Sequence, residues 1–253
     1  VCSSDLLSTL RYIPWQEGAA MVTADVQWLD HTDVVASPRQ ILRQQIKRLE
    51  EAGMKAFVGT ELEFIVFNNS YEDAWNKRYR GLTPANQYNV DYSILGGSRI
   101  EPLLRAIRLG MAGAGMYVES VKGECNFGQH EIAFKYDEAL KTCDNHVIYK
   151  NGAKEIASDM GYALTFMAKY NEREGNSSHI HCSFRGLNGE MVLADDKDKE
   201  HGLSDVGRHF LAGMQKHLRE LSLMWAPTIN SYKRYQPGSF APTAIRWGRD
   251  NRT

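Results

Sequence analysis

Cysteine is scarce: Cys2, Cys125, Cys143 and Cys182 are the only four in 253 residues, and no two of them form a C-x-x-C pair. Two sit in apolar stretches, which suits buried reduced thiols in a cytosolic protein, and no structural disulfide is expected. Long apolar runs are also lacking. None approaches the roughly 20 residues that cross a bilayer, so a soluble protein is expected and a membrane partner is not. An excess of charge of either sign is missing too. The formal net charge is −1, which removes the electrostatic reason for binding nucleic acid or an anionic membrane. No repeat, low-complexity tract or signal peptide is visible, and a cytoplasmic location follows as the expectation. The chain starts at a valine, which leaves its native N-terminus open.

What is present is a chain 43% hydrophobic and 24% charged, enough for a sizeable core. Four helices can be predicted. The first follows Ser37-Pro38-Arg39-Gln40, read as a capping box with proline at the first helical position. Its inward face is Ile41, Leu42, Ile46 and Leu49, and Gly53 ends it. The second runs over about 98–112 with Leu103, Leu104, Ile107 and Met111 inward. The third covers about 137–160, with a break allowed at Asn151-Gly152, and the fourth about 204–225, before Pro227. Strand-like runs occupy 20–29, 57–67, 116–121, 126–135, 164–168 and 179–184, while 68–92 reads as a long surface excursion. The elements lack regular βαβ alternation, which predicts α+β.

Four segments carry chemistry. In Phe57-Val-Gly-Thr-Glu-Leu-Glu-Phe-Ile-Val-Phe67, Glu61 and Glu63 are two apart and face one side of a strand with apolar residues on both faces. Two buried carboxylates call for a cation or a proton, and a divalent metal is economical; an edge strand with two solvated glutamates has the same spacing. Glu124 and Glu131 flank Gly128, which could bend the chain to bring them together; a plain hairpin with charged flanks also fits. His179, His181 and Ser183 share a strand face, suited to metal or phosphate and equally to a structural role, after a turn at Gly175-Asn-Ser-Ser178. Lys233, Arg234, Arg249 and Arg252 bracket a Pro/Gly-rich loop. They could fork onto carboxylates and phosphates, or form an ordinary basic surface. Together the segments specify a two-metal phosphoryl-transfer site.

Their order resembles the glutamine synthetase family, from about Thr9 to the last residue. Gly59-Thr-Glu-Leu-Glu-Phe64 is similar to its first metal motif, and Glu124 with Gly128-Gln-His-Glu131 to its second. Thr165-Phe-Met-Ala-Lys169 with His179-Ile-His-Cys-Ser183 resembles its nucleotide and metal signature. Asn230-Ser-Tyr-Lys-Arg234 and Asp250-Asn-Arg252 resemble its arginine motifs. The resemblance implies an ATP- and metal-dependent ligase with an α+β catalytic domain, its antiparallel sheet forming the cleft and its helices packed outside. Glu63, Glu124 and Glu131 would hold one Mg2+ or Mn2+, and Glu61 and His179 a second. Glu119 and Ser183 would lie at the nucleotide, and His181 near its phosphates. Gly175 and Arg234 would bind glutamate, and Arg252 would face the transferred phosphoryl group.

The resemblance also implies that residues 1–15 are a residual connection to the family's N-terminal β-grasp domain, largely absent here. Residues 16–253 would then be an incomplete catalytic domain, in a protein whose full form is a ring-shaped homo-oligomer. Two departures stand out. Gly175-Asn-Ser-Ser178 alters the family's glycine-rich turn, and Phe240 stands where ammonia-using members carry a glutamate. Phenylalanine cannot accept a proton. This resembles the branch that joins glutamate to polyamines, ethanolamine or similar amines. The alternatives are an ammonia-using glutamine synthetase and a non-catalytic member serving as an oligomeric scaffold.

Overall fold

The computed structural model describes residues 2–88, 90–173 and 175–249, with side chains from residue 6 onward. The central element is β3 (Met54–Phe67), whose 14 residues are long enough to pair with four other strands. Along one edge it pairs antiparallel with β5 (Gln129–Phe134) and the two-residue β6 (Asp137–Glu138). Along the other it pairs with β8 (Ser178–Gly186) and β7 (Ala163–Thr165). Beyond β5 lies β4 (Val118–Gly123), an outer strand of the sheet.

Strand alternation divides β3 between surroundings. Leu62, Phe64 and Val66 enter the main core, while Ile65 and Phe67 join a smaller cluster with Ala163. The main core is completed by α4 (Glu101–Gly113), through Leu103, Leu104, Ile107 and Met111, and by α5 (Ala139–Asp159), through Ile148, Tyr149, Ala153, Ile156 and Ala157. The inward face predicted for the second helix is therefore the buried one. The helix divides, however, because α3 (Ile94–Arg99) precedes α4, its N-terminus capped by the Ser93 hydroxyl, which accepts from the Gly96 amide at 3.1 Å. At Asn151-Gly152, α5 runs on unbroken. Gly152 serves packing instead: a Cβ there would come within 2.6 Å of Trp15 and 2.8 Å of Met111.

The first helix, α1 (Pro38–Glu51), begins and ends where expected, and Gly53 beyond it takes φ +78°. Its capping box does not form. Ser37 makes no side-chain cap bond, and Gln40 is 3% exposed, buried rather than folded back onto the helix end. The fourth predicted helix also divides, into α6 (Asp205–His217) and the single turn α7 (Ser222–Trp225); a further turn, α8 (Ile229–Tyr232), follows. The excursion at 68–92 is anchored at both sides. Its α2 (Tyr71–Asn76) is capped by Ser70, Phe67 bridges to Pro84, and Asn69 and Asn86 are buried.

Ahead of this body, β1 (Cys2–Tyr12) pairs antiparallel with β2 (Ala20–Gln27) in a separate two-stranded sheet. No strand was predicted for β1. The junction expected between residues 15 and 16 falls in the turn of this hairpin. Arg39 ties it to the body, pairing with Asp25 at 2.5 Å and Asp144 at 3.0 Å. Of the described cysteines, Cys125 and Cys143 are half-buried and Cys182 is exposed, so burial is only partial. Among the described residues no helix is long and apolar enough to cross a membrane.

Candidate active site

Glu61 and Glu63 point away from the core, and the register of the sheet gives each a different neighbour. Glu63 lies opposite Glu131 of β5, and Glu61 opposite His179 of β8. Glu124 sits just beyond β4. Its amide donates to the Gln129 carbonyl at 2.9 Å, closing the turn that contains Gly128. Gly128 has φ +66°, and a Cβ on it would come within 2.5 Å of the Val66 carbonyl oxygen. The turn therefore requires glycine, and it carries Glu124 back beside Glu131.

Glu63, Glu124 and Glu131 each present an oxygen to a common point, all three atoms lying within 4.8 Å of one another. Glu131 is 2% exposed. Burial, then the charges of Glu63 and Glu131, push the Glu124 carboxyl up to about 7, against the pull of Lys122. Burial also raises Glu131, again opposed by Lys122, and the charge of Glu61 adds to the rise. The two glutamates of β3 thus belong to one electrostatic field. The Lys122 ammonium stands 3.1 Å from Glu131 and 3.6 Å from Glu124. The third carboxylate is held from outside the trio. Glu63 Oε2 accepts from the Ser177 amide at 2.7 Å and from Gln129 Nε2 at 2.9 Å.

Glu61 sits between two imidazoles. His179 Nδ1 is 3.1 Å from its Oε2, and His181 Nε2 is 3.1 Å from its Oε1. Burial works against ionisation of Glu61, but the His179 hydrogen bond and the nearby imidazole charges bring it below the ordinary carboxylate range. His130, from the same motif as Glu131, faces inward beside Phe64 and is pushed down to about 4 by burial, so it stays neutral in the core.

The loop before β8 joins the trio to the arginine segment. Gln129 Nε2 also lies 3.0 Å from the Gly175 carbonyl and 2.9 Å from Asn176 Oδ1. A Cβ on Gly175 would collide with the Ala168 carbonyl oxygen and the Arg234 side chain, so these two candidate glutamate-binding residues are neighbours. Arg234 is 8% exposed, and its Nη1 donates to the Ser239 carbonyl. The next residue, Phe240, has an exposed ring and φ +58°, in the left-handed region.

Not every candidate is brought to this place. Glu119 is exposed on β4 and lines a cleft of 650 Å³ against α3 and α4, together with Tyr92 and Lys122. Ser183 lies opposite Phe57, further along β8 than His181. Arg252 lies outside the described residues. Two residues of the site escaped the sequence reading, Gln129 and Lys122, while Ser177, whose amide meets Glu63, lies in the turn read at Gly175-Asn-Ser-Ser178. The strand expected over 116–121 stopped short of Lys122, whereas β4 runs to Gly123 and places it opposite Glu131.

Residues 35–253 match a family model described as glutamine synthetase, catalytic domain. The chain is 65% identical over 246 residues to Gamma-glutamylethanolamide synthetase GlnA4 of Streptomyces coelicolor, covering 97% of this chain and 52% of that protein. A glutamate–isopropylamine ligase of Pseudomonas sp is 40% identical, with 98% of this chain and 54% of the relative covered. A glutamine synthetase of Thermococcus kodakarensis is 38% identical, with 97% and 52% covered. Among solved structures, a GmaS–ADP complex superposes with a TM-score of 0.89 at 26% identity, over 99% of this chain and 58% of the other. The chain spans about half the length of the curated relatives it matches.

Proposed function

The chain belongs to the glutamine synthetase family, and from that premise we propose an ATP-dependent ligase that joins glutamate to an organic amine. The γ-carboxylate oxygen would attack the terminal phosphorus of ATP, releasing ADP and leaving an acyl phosphate. The amine nitrogen would then attack the acyl carbon, expelling phosphate and losing a proton. A free carboxylate is a poor electrophile and its phosphate anhydride a good one, so the protein's task is positioning and charge stabilisation.

The observation that carries this reading is the cluster of Glu63, Glu124 and Glu131 beside the Glu61–His179–His181 group on one sheet face. The trio fits a hard divalent cation, Mg2+ or Mn2+, because its donors are all carboxylate oxygens, and burial together with their mutual repulsion already holds Glu124 at about 7. Glu61 and His179 offer an oxygen and a nitrogen to a second. Such cations supply charge neutralisation at the transferring phosphoryl group. His181, exposed at the rim of Glu61, is suited to nucleotide phosphates, and Glu119 and Ser183 are assigned to the nucleotide. Arg234, always charged and held by Ser239, presents a planar fork for a glutamate carboxylate beside Gly175. Arg252 is assigned to the transferred phosphoryl group.

Phe240 supports a carbon-bearing amine over ammonia. It offers neither a proton acceptor nor a charge to balance ammonium, but an apolar surface worth about 0.8 kcal/mol per buried methylene. Two relatives point the same way, since one is named for an ethanolamide product and the other for isopropylamine as the amine joined to glutamate. The test measures phosphate release from ATP and glutamate with ethanolamine, putrescine, spermidine or ammonium, in the full-length protein. An organic amine should lead on kcat/KM, and Phe240→Glu should shift preference toward ammonium. A lead for ammonium in the unaltered protein would overturn the reading.

Assembly into a ring-shaped homo-oligomer, a cytoplasmic location, and the division into a connection at 1–15 and a catalytic domain from 16 belong to the same proposal. Exposed Leu7, Leu10 and Tyr12 on β1 support a covering partner. On this view the 253-residue chain alone sediments as monomers or ill-defined aggregates, and a stable closed ring with full turnover would sink it.

A further inference from the structure

Lys122 is the unexpected member of the site. Its backbone lies directly opposite Glu131 in the β4–β5 register, and its side chain is 37% exposed. The ammonium reaches two of the three clustered carboxylates, 3.1 Å from Glu131 and 3.6 Å from Glu124, and stands 5.5 Å from the centre of the Tyr92 ring. An ordinary ion pair would have one partner. This one spans two, in the place where the trio's charges need balancing.

A divalent cation of Mg2+ size sits about 2.1 Å from each oxygen it holds. With the metal on the same Glu131 oxygen, Oε1, the ammonium at 3.1 Å would be no more than about 5 Å from it. Two positive centres that close, in partly buried surroundings, repel strongly. The strand fixes the lysine backbone, but the four-carbon stem is flexible and lets the charged head swing. The Tyr92 ring, its centre 5.5 Å from the ammonium, offers the charged head a cation–π platform on which to settle.

We infer that Lys122 is a resident counter-cation of Glu124 and Glu131, which a divalent metal displaces toward the Tyr92 ring. The inference rests on the metal reading of the trio and extends it. Lys122 is then a positioning residue that steadies the empty carboxylates and sets the metal concentration at which the site fills. Tyr92 acts in the opposite sense, by receiving the displaced charge.

The test uses Mn2+ alone, without nucleotide or glutamate. Its dissociation constant is measured by calorimetry and by the loss of the free-ion electron-paramagnetic signal, at the site that Glu131→Gln abolishes. Unfolding is followed separately in chelator. Lys122→Met should tighten Mn2+ at least tenfold and lower the unfolding temperature in chelator, with less effect when Mn2+ is saturating. Lys122→Gln should move both in the same direction, and Lys122→Arg should stay near the parent. Tyr92→Asn, chosen because asparagine tolerates the φ of +54° at this position, should weaken Mn2+, and the double variant should follow Lys122→Met. Unchanged or weaker Mn2+ binding in both Lys122→Met and Lys122→Gln overturns the inference while leaving the metal site standing. Parent protein that binds no Mn2+, or binds it unaltered in Glu131→Gln, removes the metal reading itself.

Discussion

Glu61 and Glu63 share a strand, a face and a residue type, and they stand in contrary surroundings. Glu61 meets two imidazoles, which draw it below the ordinary carboxylate range. Glu63 meets two more carboxylates, and its neighbour Glu124 is raised to about 7 by burial and then by the charges of Glu63 and Glu131. One side of the strand has its charge answered by neighbouring side chains. The other side answers it only in part, through Lys122, and retains affinity for a further cation. A binding site for a divalent ion is expected where charge is incompletely balanced, because balanced charge has less to gain from a new partner.

The largest test of this contrast is to neutralise one carboxylate on each side. Glu131→Gln should weaken Mn2+ at the trio by about 100-fold or more, beyond the 10- to 100-fold range typical of an outer-shell partner. Glu61→Gln, acting on the same trio only through space, should change that constant about tenfold or less. Equal effects would erase the distinction between the two sides.

A backbone change comes next. Gly128→Ala places a Cβ at φ +66° against the Val66 carbonyl, in the turn that delivers Glu124 to Glu131. It should cost about 2–3 kcal/mol in chemical unfolding and weaken Mn2+ binding as well. An alanine variant with parent stability would show that the turn is not held where the structure puts it.

Acidity separates the two sides by sign. Between its unfolded pKa near 4.5 and its folded value of about 7, Glu124 holds its proton longer folded than unfolded, so stability falls as pH rises through that window. The Glu124 side chain is 9% exposed, so little screening intervenes and the effect is on the order of 2–3 kcal/mol. Glu61 has a lowered pKa, so its contribution is present above the ordinary carboxylate value and is lost as pH falls through the folded one. Denaturant titration in chelator should therefore show stability declining from pH 4.5 to 7, and Glu124→Gln should flatten that slope. A slope that survives the substitution would assign it elsewhere.

The smallest effect marks the floor. Lys77 pairs with Asp73 at 2.8 Å on the exposed end of α2, and Lys77→Ala should leave the denaturant midpoint close to the parent's. A larger loss would mean that surface pairs cannot serve as the baseline for the changes above.

Where local chemistry agreed with the fold, the elements were legible. The apolar face of α4, and the run that became β3, were read from period and composition alone, whereas of the face expected for α1 Leu42, Ile46 and Leu49 are only half-buried and Ile41 is exposed. The errors came where a tertiary contact outweighed a local preference. Ser37 and Gln40 have the spacing of a capping box, but Gln40 is buried, and burial of its side chain takes it from the helix end. Asn151-Gly152 looked like a breaker, yet Gly152 is the smooth patch on α5 where Trp15 and Met111 press closest. The second helix was expected only from about 98, and the Ser93 cap starts a separate one at Ile94. Strand β1 has no strong alternation of its own and exists through its pairing with β2.

The same division runs through the site. The two-residue period of a strand is a property of the backbone, so the sequence by itself determined that Glu61 and Glu63 face one way and that His179 and His181 do likewise. Which of them would meet was decided only by register. Glu63 reached Glu131 and Glu61 reached His179 because β5 and β8 flank opposite edges of β3 at particular offsets. Those offsets are set by contacts between segments more than 60 residues apart in the chain, among them the Gln129 bond to Glu63 and the closely packed turn at Gly128. Antiparallel pairing is available at many offsets on hydrogen bonding alone. Burial of the apolar face selects among them, and that selection belongs to the packed molecule.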